Sequence, residues 1–241
     1  MKTRHTLAAL TAALLLVMAP SPSSAEEGPG LYGLFLLDQA EYGFDGADNP
    51  LRWDLTSWVG GDWNRIWLKS EGELPSDGSS VSGEAQLLYS RLIAPFWELQ
   101  VGVRGDLSVE DQTLGRGHLV LGLEGMVPYL FEVEPALFVS QRGDVSMRLR
   151  ATHDLFVTQR LIAQSSAEVN LAVQSVPEFG VGAGLGDLEV GLRLRYEFAR
   201  EFAPYVGVSY EQSFFETAEL RSAGGEAPRV IRGVAGLRLW F

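Results

Sequence analysis

The sequence alternates. In "DLEVGLRLRYEF" (187–198), Leu188, Val190, Leu192, Leu194, Tyr196 and Phe198 form one set, and Asp187, Glu189, Arg193, Arg195 and Glu197 form the other. A period of two places the two sets on opposite faces of a β-strand. The pattern returns in "FWELQVGVRGD", where Trp97, Leu99, Val101 and Val103 oppose Glu98, Gln100, Arg104 and Asp106. It returns again in "PYLFEVEPALFVS" (128–140) and "DVSMRLRATHDLF" (144–156). About twelve such segments begin near Leu31, Leu51, Trp63, Glu84, Pro95, Gly117, Pro128, Asp144, Arg160, Asp187, Ala203 and Arg229. Beyond residue 25 no stretch carries a convincing helical period, and none has the apolar length of a membrane-spanning helix.

Which face is inside decides the architecture. A soluble antiparallel sandwich turns its apolar face inward and leaves a polar face to water. Here the polar set is dominated by Arg and Glu, with Trp58, Trp63, Trp67 and Trp240 mixed in, and Lys69 is the one lysine beyond residue 25. An outer-membrane barrel accounts for more of this, because its strands turn apolar residues to lipid and polar residues to the lumen. Closure leaves no unpaired strand edge in the bilayer.

The connections carry a second regularity. Long polar ones, such as "EGELPSDGSSVSG" (71–83), "SVEDQTLGR" (108–116), "QSVPEFGVGAGLG" (174–186) and "FETAELRSAGGEA" (215–227), alternate with tight ones near residues 60, 93, 127, 157 and 200. The short "QRG" at 141 breaks the rule. The expected fold is all-β: a closed antiparallel transmembrane barrel of about twelve strands, with short periplasmic turns and longer outer loops. The chain's end, "IRGVAGLRLWF" (231–241), is then a last strand with Leu237, Leu239 and Phe241 toward lipid and Arg232 and Arg238 toward the lumen.

Three local features refine the expectation. The first strand breaks phase at Asp38, which predicts a bulge. Arg91 falls on the lipid-facing parity or at a membrane edge. "GVGAGLG" (180–186) is glycine-rich, but no helix follows it, so it reads as a flexible outer loop and not as a phosphate-binding loop.

Residues 1–25 read as a secretory signal peptide: a basic start at Lys2, Arg4 and His5, an apolar run from Leu7 to Met18, and small residues up to Ala25. Residues 26–30 then form a short periplasmic segment, and the barrel occupies 31–241. The chain has 19 basic against 31 acidic residues, for a net charge of -12. That balance argues against nucleic acid as a partner, since phosphate recognition wants a basic face. With 0 cysteines, disulfides and thiolate chemistry are excluded.

Lumen charges of both signs predict cross-strand ion pairs, because an unpaired charge in a confined space is costly. No catalytic constellation stands out, and the chain does not read as an enzyme. His153 falls on the lipid-facing parity near a tight turn, and no serine is placed by sequence as a nucleophile for His118.

Longer blocks resemble a known family. "LYGLFLLDQAEYGF" (31–44), "WVGGDWNRIWLKSEGE" (58–73), "LLYSRLIAPFWELQVGVR" (87–104), "FVSQRGDVSMRLRATHDLFVTQRLI" (138–162), "GLGDLEVGLRLRYEFAREFAPYVGV" (184–208) and the terminal "GLRLWF" are similar to the copper resistance protein B family. The resemblance implies an outer-membrane barrel surrounded by lipid and linked to copper resistance. It implies binding of copper ions or their movement out of the periplasm, alongside a periplasmic multicopper oxidase. Family members usually carry a Met- and His-rich segment ahead of the barrel, whereas here the expected mature chain begins "EEGPGLYG". Copper favours thioether, thiolate and imidazole ligands, so any site must be sparse. The expected metal ligands are His118, Met126, Glu124, Glu132 and Glu134, on adjacent strands near one tight turn. The alternatives are a narrow passive pore for small charged solutes and an outer-membrane lipid or ester hydrolase with an activated nucleophile near His118.

Overall fold

In the computed structural model, residues 30–44, 49–76, 81–108 and 114–241 are described. The proposed signal peptide lies outside them. Twelve strands carry the chain: β1 (Tyr32–Phe44), β2 (Leu51–Gly60), β3 (Asn64–Leu74), β4 (Ser82–Ala94), β5 (Trp97–Ser108), β6 (Leu114–Val127), β7 (Phe131–Ser140), β8 (Val145–Phe156), β9 (Leu161–Ala172), β10 (Gly184–Tyr196), β11 (Phe202–Ser213) and β12 (Arg229–Trp240). Each pairs antiparallel with its sequence neighbours, and β1 pairs with β12 to close the ring. The sequence-derived strand starts hold to within three residues, and every strand was anticipated.

The expected bulge is present. The register of β1 against both neighbours shifts just after Leu37. Its consequence is chemical, because one extra residue inverts the parity beyond it. Glu41 thereby turns inward and is 1% exposed, while Tyr42 turns out.

Exposure is inverted relative to a soluble protein. Leu119 is 65% and Leu192 53% exposed, whereas Arg193 is 2% exposed. A band of outward leucines and valines over an ionised interior is stable only where the outer solvent is hydrocarbon. Aromatic residues rim this band. Tyr42 and Phe44 stack edge-on at one end, Tyr196 and Phe198 at the other, with centroids 5.1 and 4.9 Å apart. Such girdles are what membrane interfaces select. His153 is on this outer face, stacked on Phe131 at 4.4 Å near the tight turns. Arg91 also faces outward, on the last turn-proximal part of β4, at the membrane edge.

The two ends differ as expected. Tight turns join β2–β3, β4–β5, β6–β7, β8–β9 and β10–β11. The β7–β8 connection at the opposite end is also short. Two expectations at that end need correction. The glycine-rich stretch is ordered: Gly184–Gly186 belong to β10, and Val176 and Val181 form an isolated bridge. The β11–β12 connection contains a helix, α1 (Phe215–Ala223). A nine-residue helix is marginal alone; this one is held by docking. Thr217 Oγ1 accepts from the Gly182 N–H at 3.0 Å, and Glu216 accepts from Ser175 Oγ at 2.7 Å and the Ala183 N–H at 3.0 Å. The Ser175 hydroxyl above all, and then the Ala183 amide, hold the Glu216 carboxyl below its ordinary range.

Candidate functional site

Twelve strands enclose more than side chains alone fill in an eight-stranded barrel. The lumen divides into two halves. Around Arg193 and Glu41, between β10, β11, β12 and β1, it is packed. Arg193 meets Glu41 at 2.7 Å, with both side chains almost wholly buried. Glycines make this possible. A Cβ at Gly191 or Gly207 would collide with Arg193, and one at Gly236 would collide with the Tyr205 ring. The long side chains therefore lie flat against the wall.

A cavity of about 1380 Å³ runs through the barrel, lined mostly by β2–β9, with Leu36 and Asp38 of β1, Glu189 of β10 and Arg238 of β12 also on its wall. Its walls include Leu92, Phe96 and Leu130 near the tight turns, and Val176, Phe179 and Thr217 beneath the opposite end. That far end is roofed by the β9–β10 connection and α1. Phe179 in this roof lies over the Arg116 guanidinium at 4.5 Å. A small apolar cluster of Trp67, Leu88, Val120 and Phe138 faces the lumen on the same half, with Trp58 against it.

Ion pairs cross this cavity. Arg148 on β8 contacts Glu71 on β3 and reaches Glu84 on β4 at 2.8 Å. Arg150, two residues on, contacts Glu71 and reaches Asp54 on β2 at 3.2 Å and Glu168 on β9 at 2.7 Å. In the ring of twelve, β8 and β2 are diametrically opposed. Lys69 on β3 crosses to Glu134 on β7 at 2.6 Å and Glu124 on β6 at 3.0 Å.

All five sequence-expected ligands line the cavity, but they do not converge. Met126 and Glu132 are cross-strand partners beside the β6–β7 turn. Glu124 and Glu134 lie one rung deeper, both bonded to Lys69. His118 is six residues up β6 from Glu124, about 20 Å at strand rise. It sits opposite Arg104 and Ser140, with its Nδ1 3.7 Å from Asp106. The Ser140 hydroxyl donates to Asp144 at 2.9 Å and accepts from the Arg142 and Asp144 amides, so it is committed to the turn. Together with Arg116 it holds the Asp144 carboxyl below its ordinary range.

Glu132 differs from the other two carboxylates, Glu124 and Glu134. Among the described residues no cation lies within ion-pair distance of it; Thr152 Oγ1 approaches at 3.4 Å. Met126 beside it is 37% exposed. Among the described residues no group of three or more His, Cys, Asp or Glu is arranged to hold a metal ion. Sequence reasoning missed Glu41 and Glu84 as lumen charges. The Asp38 phase break was the available signal for Glu41.

A closed barrel with an apolar outer band, aromatic rims and a charged lumen is of the outer-membrane type. Its fold is that of solved porins: the KdgM porin (TM-score 0.51, 12% identity, 86% of this chain and 99% of that one) and the NanC porin (TM-score 0.55, 9% identity, 87% and 100%). At the sequence level, residues 31–241 match the family described as "Copper resistance protein B precursor (CopB)". Copper resistance protein B of Escherichia coli is 44% identical over 208 residues, spanning 86% of this chain and 69% of the relative. A homolog from Pseudomonas syringae pv. tomato is 37% identical over the same shares. The chain belongs to the copper resistance protein B family. Its role is in copper resistance, and its place is the outer membrane.

Proposed function

We propose that the barrel contacts copper ions at the tight-turn mouth of its cavity and passes them along the acidic half of the lumen, away from the periplasm. One observation carries this reading. Met126 and Glu132 face each other across two strands, open to the cavity, and Glu132 lacks a cationic partner among the described residues. A thioether suits Cu(I) and a carboxylate suits Cu(II), and Glu134 and Glu124 continue the acidic lining inward. Two first contacts make a weak site, as passage requires. His118 belongs to the other end and takes no part in this contact. The step is binding and release, with no covalent chemistry. The partner implied by the family, a periplasmic multicopper oxidase, would meet the barrel at this same mouth.

Calorimetric titration of the detergent-solubilised barrel with silver(I), as a stable stand-in for Cu(I), tests the contact. Weak saturable binding is expected, lost in M126L/E132Q and kept in H118A. Absence of binding, or loss in H118A alone, would overturn the assignment. The second reading, a pore for small charged solutes, draws on the cavity reaching both ends of the barrel. It predicts single-channel conductance that copper does not alter and that M126L/E132Q leaves unchanged.

A further inference from the structure

The lumen holds two kinds of ion pair, and they differ in what they tie together. Arg193–Glu41 is packed against the wall and takes no part in lining the cavity. Arg148 and Arg150 instead stand in the cavity and join opposite walls. Both come from β8, and their acceptors are on β2, β3, β4 and β9. Three of their four carboxylates are shared, and Asp54 contacts Arg150 alone. Glu71 and Glu168 each contact both guanidiniums, and Glu84 also takes Arg104 at 2.7 Å.

Sharing changes the energetics. When one guanidinium leaves a carboxylate that keeps a second, no uncompensated charge is left behind. Each arginine can therefore exchange partners at small cost, whereas Arg193 cannot. Its long side chain also regains rotamer freedom when released. A cation moving along the cavity can take over the carboxylates as the guanidinium swings off them. An anion meets Arg148, Arg150 and Lys69 but finds acidic walls around them.

We propose that Arg148 and Arg150 are a gate, a two-residue strap across the open half of the lumen that narrows the path and makes its opening selective for cations. This rests on the reading of the lumen as a cation path, and it specifies where that path is controlled.

The test is planar-bilayer conductance of the full barrel in potassium chloride without copper, so that failure of the copper contact and failure of the gate stay distinguishable. The wild type is expected to show small conductance. R148Q/R150Q should raise it several-fold, with a reversal potential in a salt gradient that shifts toward potassium, because Asp54, Glu71 and Glu168 are set free while Glu84 keeps Arg104. Unchanged conductance in a folded variant, or a gain that favours chloride, overturns the gate. If heat-modifiable gel migration shows that this variant misfolds, R148Q/R150Q/E71Q/E168Q relieves the surplus negative charge. A conductance gain there upholds the gate, and its absence refutes it.

Discussion

The packed and the traversed halves of the lumen are made of the same residue types, yet they do different things. Between β10–β12 and β1, Arg193 lies over glycine and meets Glu41, and the pair is sealed. On β2–β9 the arginines have no such bed. Arg148 and Arg150 extend into the cavity and find acids on the far wall. The difference follows from where glycine falls opposite a long side chain, at Gly191, Gly207 and Gly236. Composition alone does not make a channel lining; the neighbours decide whether a charge becomes wall or obstacle.

The largest effect should come from the sealed half. Arg193→Met strands Glu41 in a buried site, and loss of one partner of such a pair costs about 3–5 kcal/mol. Urea unfolding in lipid vesicles, followed by gel migration, would read it. Adding Glu41→Leu should restore most of the loss; a double variant as unstable as the single would break the comparison.

The two halves should be alike on the outside. Leu121→Arg on β6 and Leu192→Arg on β10 both place a charge in the lipid band, at about 2–4 kcal/mol each near the midplane. Unequal costs would show that the halves also differ in membrane exposure.

Inside the open half, Arg150→Gln should cost only about 1 kcal/mol, since Glu71 and Glu168 keep Arg148 and Asp54 is partly solvated. A loss as large as that of Arg193→Met would refute the idea of exchangeable partners.

The smallest effect concerns the roof. The Glu216 carboxyl is held below its ordinary range by Ser175 and the Ala183 amide. A lowered folded-state value means that the contribution is full above the unfolded value, about 4.3, and is lost as the pH falls through the folded one. Hydrogen exchange at the Gly182 and Ala183 amides should therefore quicken on acidification below that range, and Glu216→Gln should quicken it at neutral pH. Exchange insensitive to both would detach α1 from the roof.

Much of this was legible in the sequence because side-chain alternation is a local property. Twelve runs with period two, and a phase break at Asp38, suffice for strands, faces and the bulge. What pairs across the lumen was not legible. Arg193 and Glu41 lie 152 residues apart, and their meeting depends on closure of the ring and on the parity inverted by the bulge. The candidate ligands show the same limit. Glu124, Glu132 and Glu134 share one turn, as their spacing implies. His118 shares their face but not their depth, and counting rungs along β6 would have separated it. The helix at 215–223 escaped because nine residues give little period; it owes its form to Gly182 and Ala183.

The chain contains 0 cysteines, so single introduced thiols report on the lumen directly. The most direct measurement is the reaction rate of a small charged methanethiosulfonate with Thr56→Cys and Thr152→Cys, which line the cavity, against Ser209→Cys, 2% exposed on the packed half. The half-filled lumen predicts fast labelling at the first two positions and almost none at the third. Equal rates at all three would contradict it.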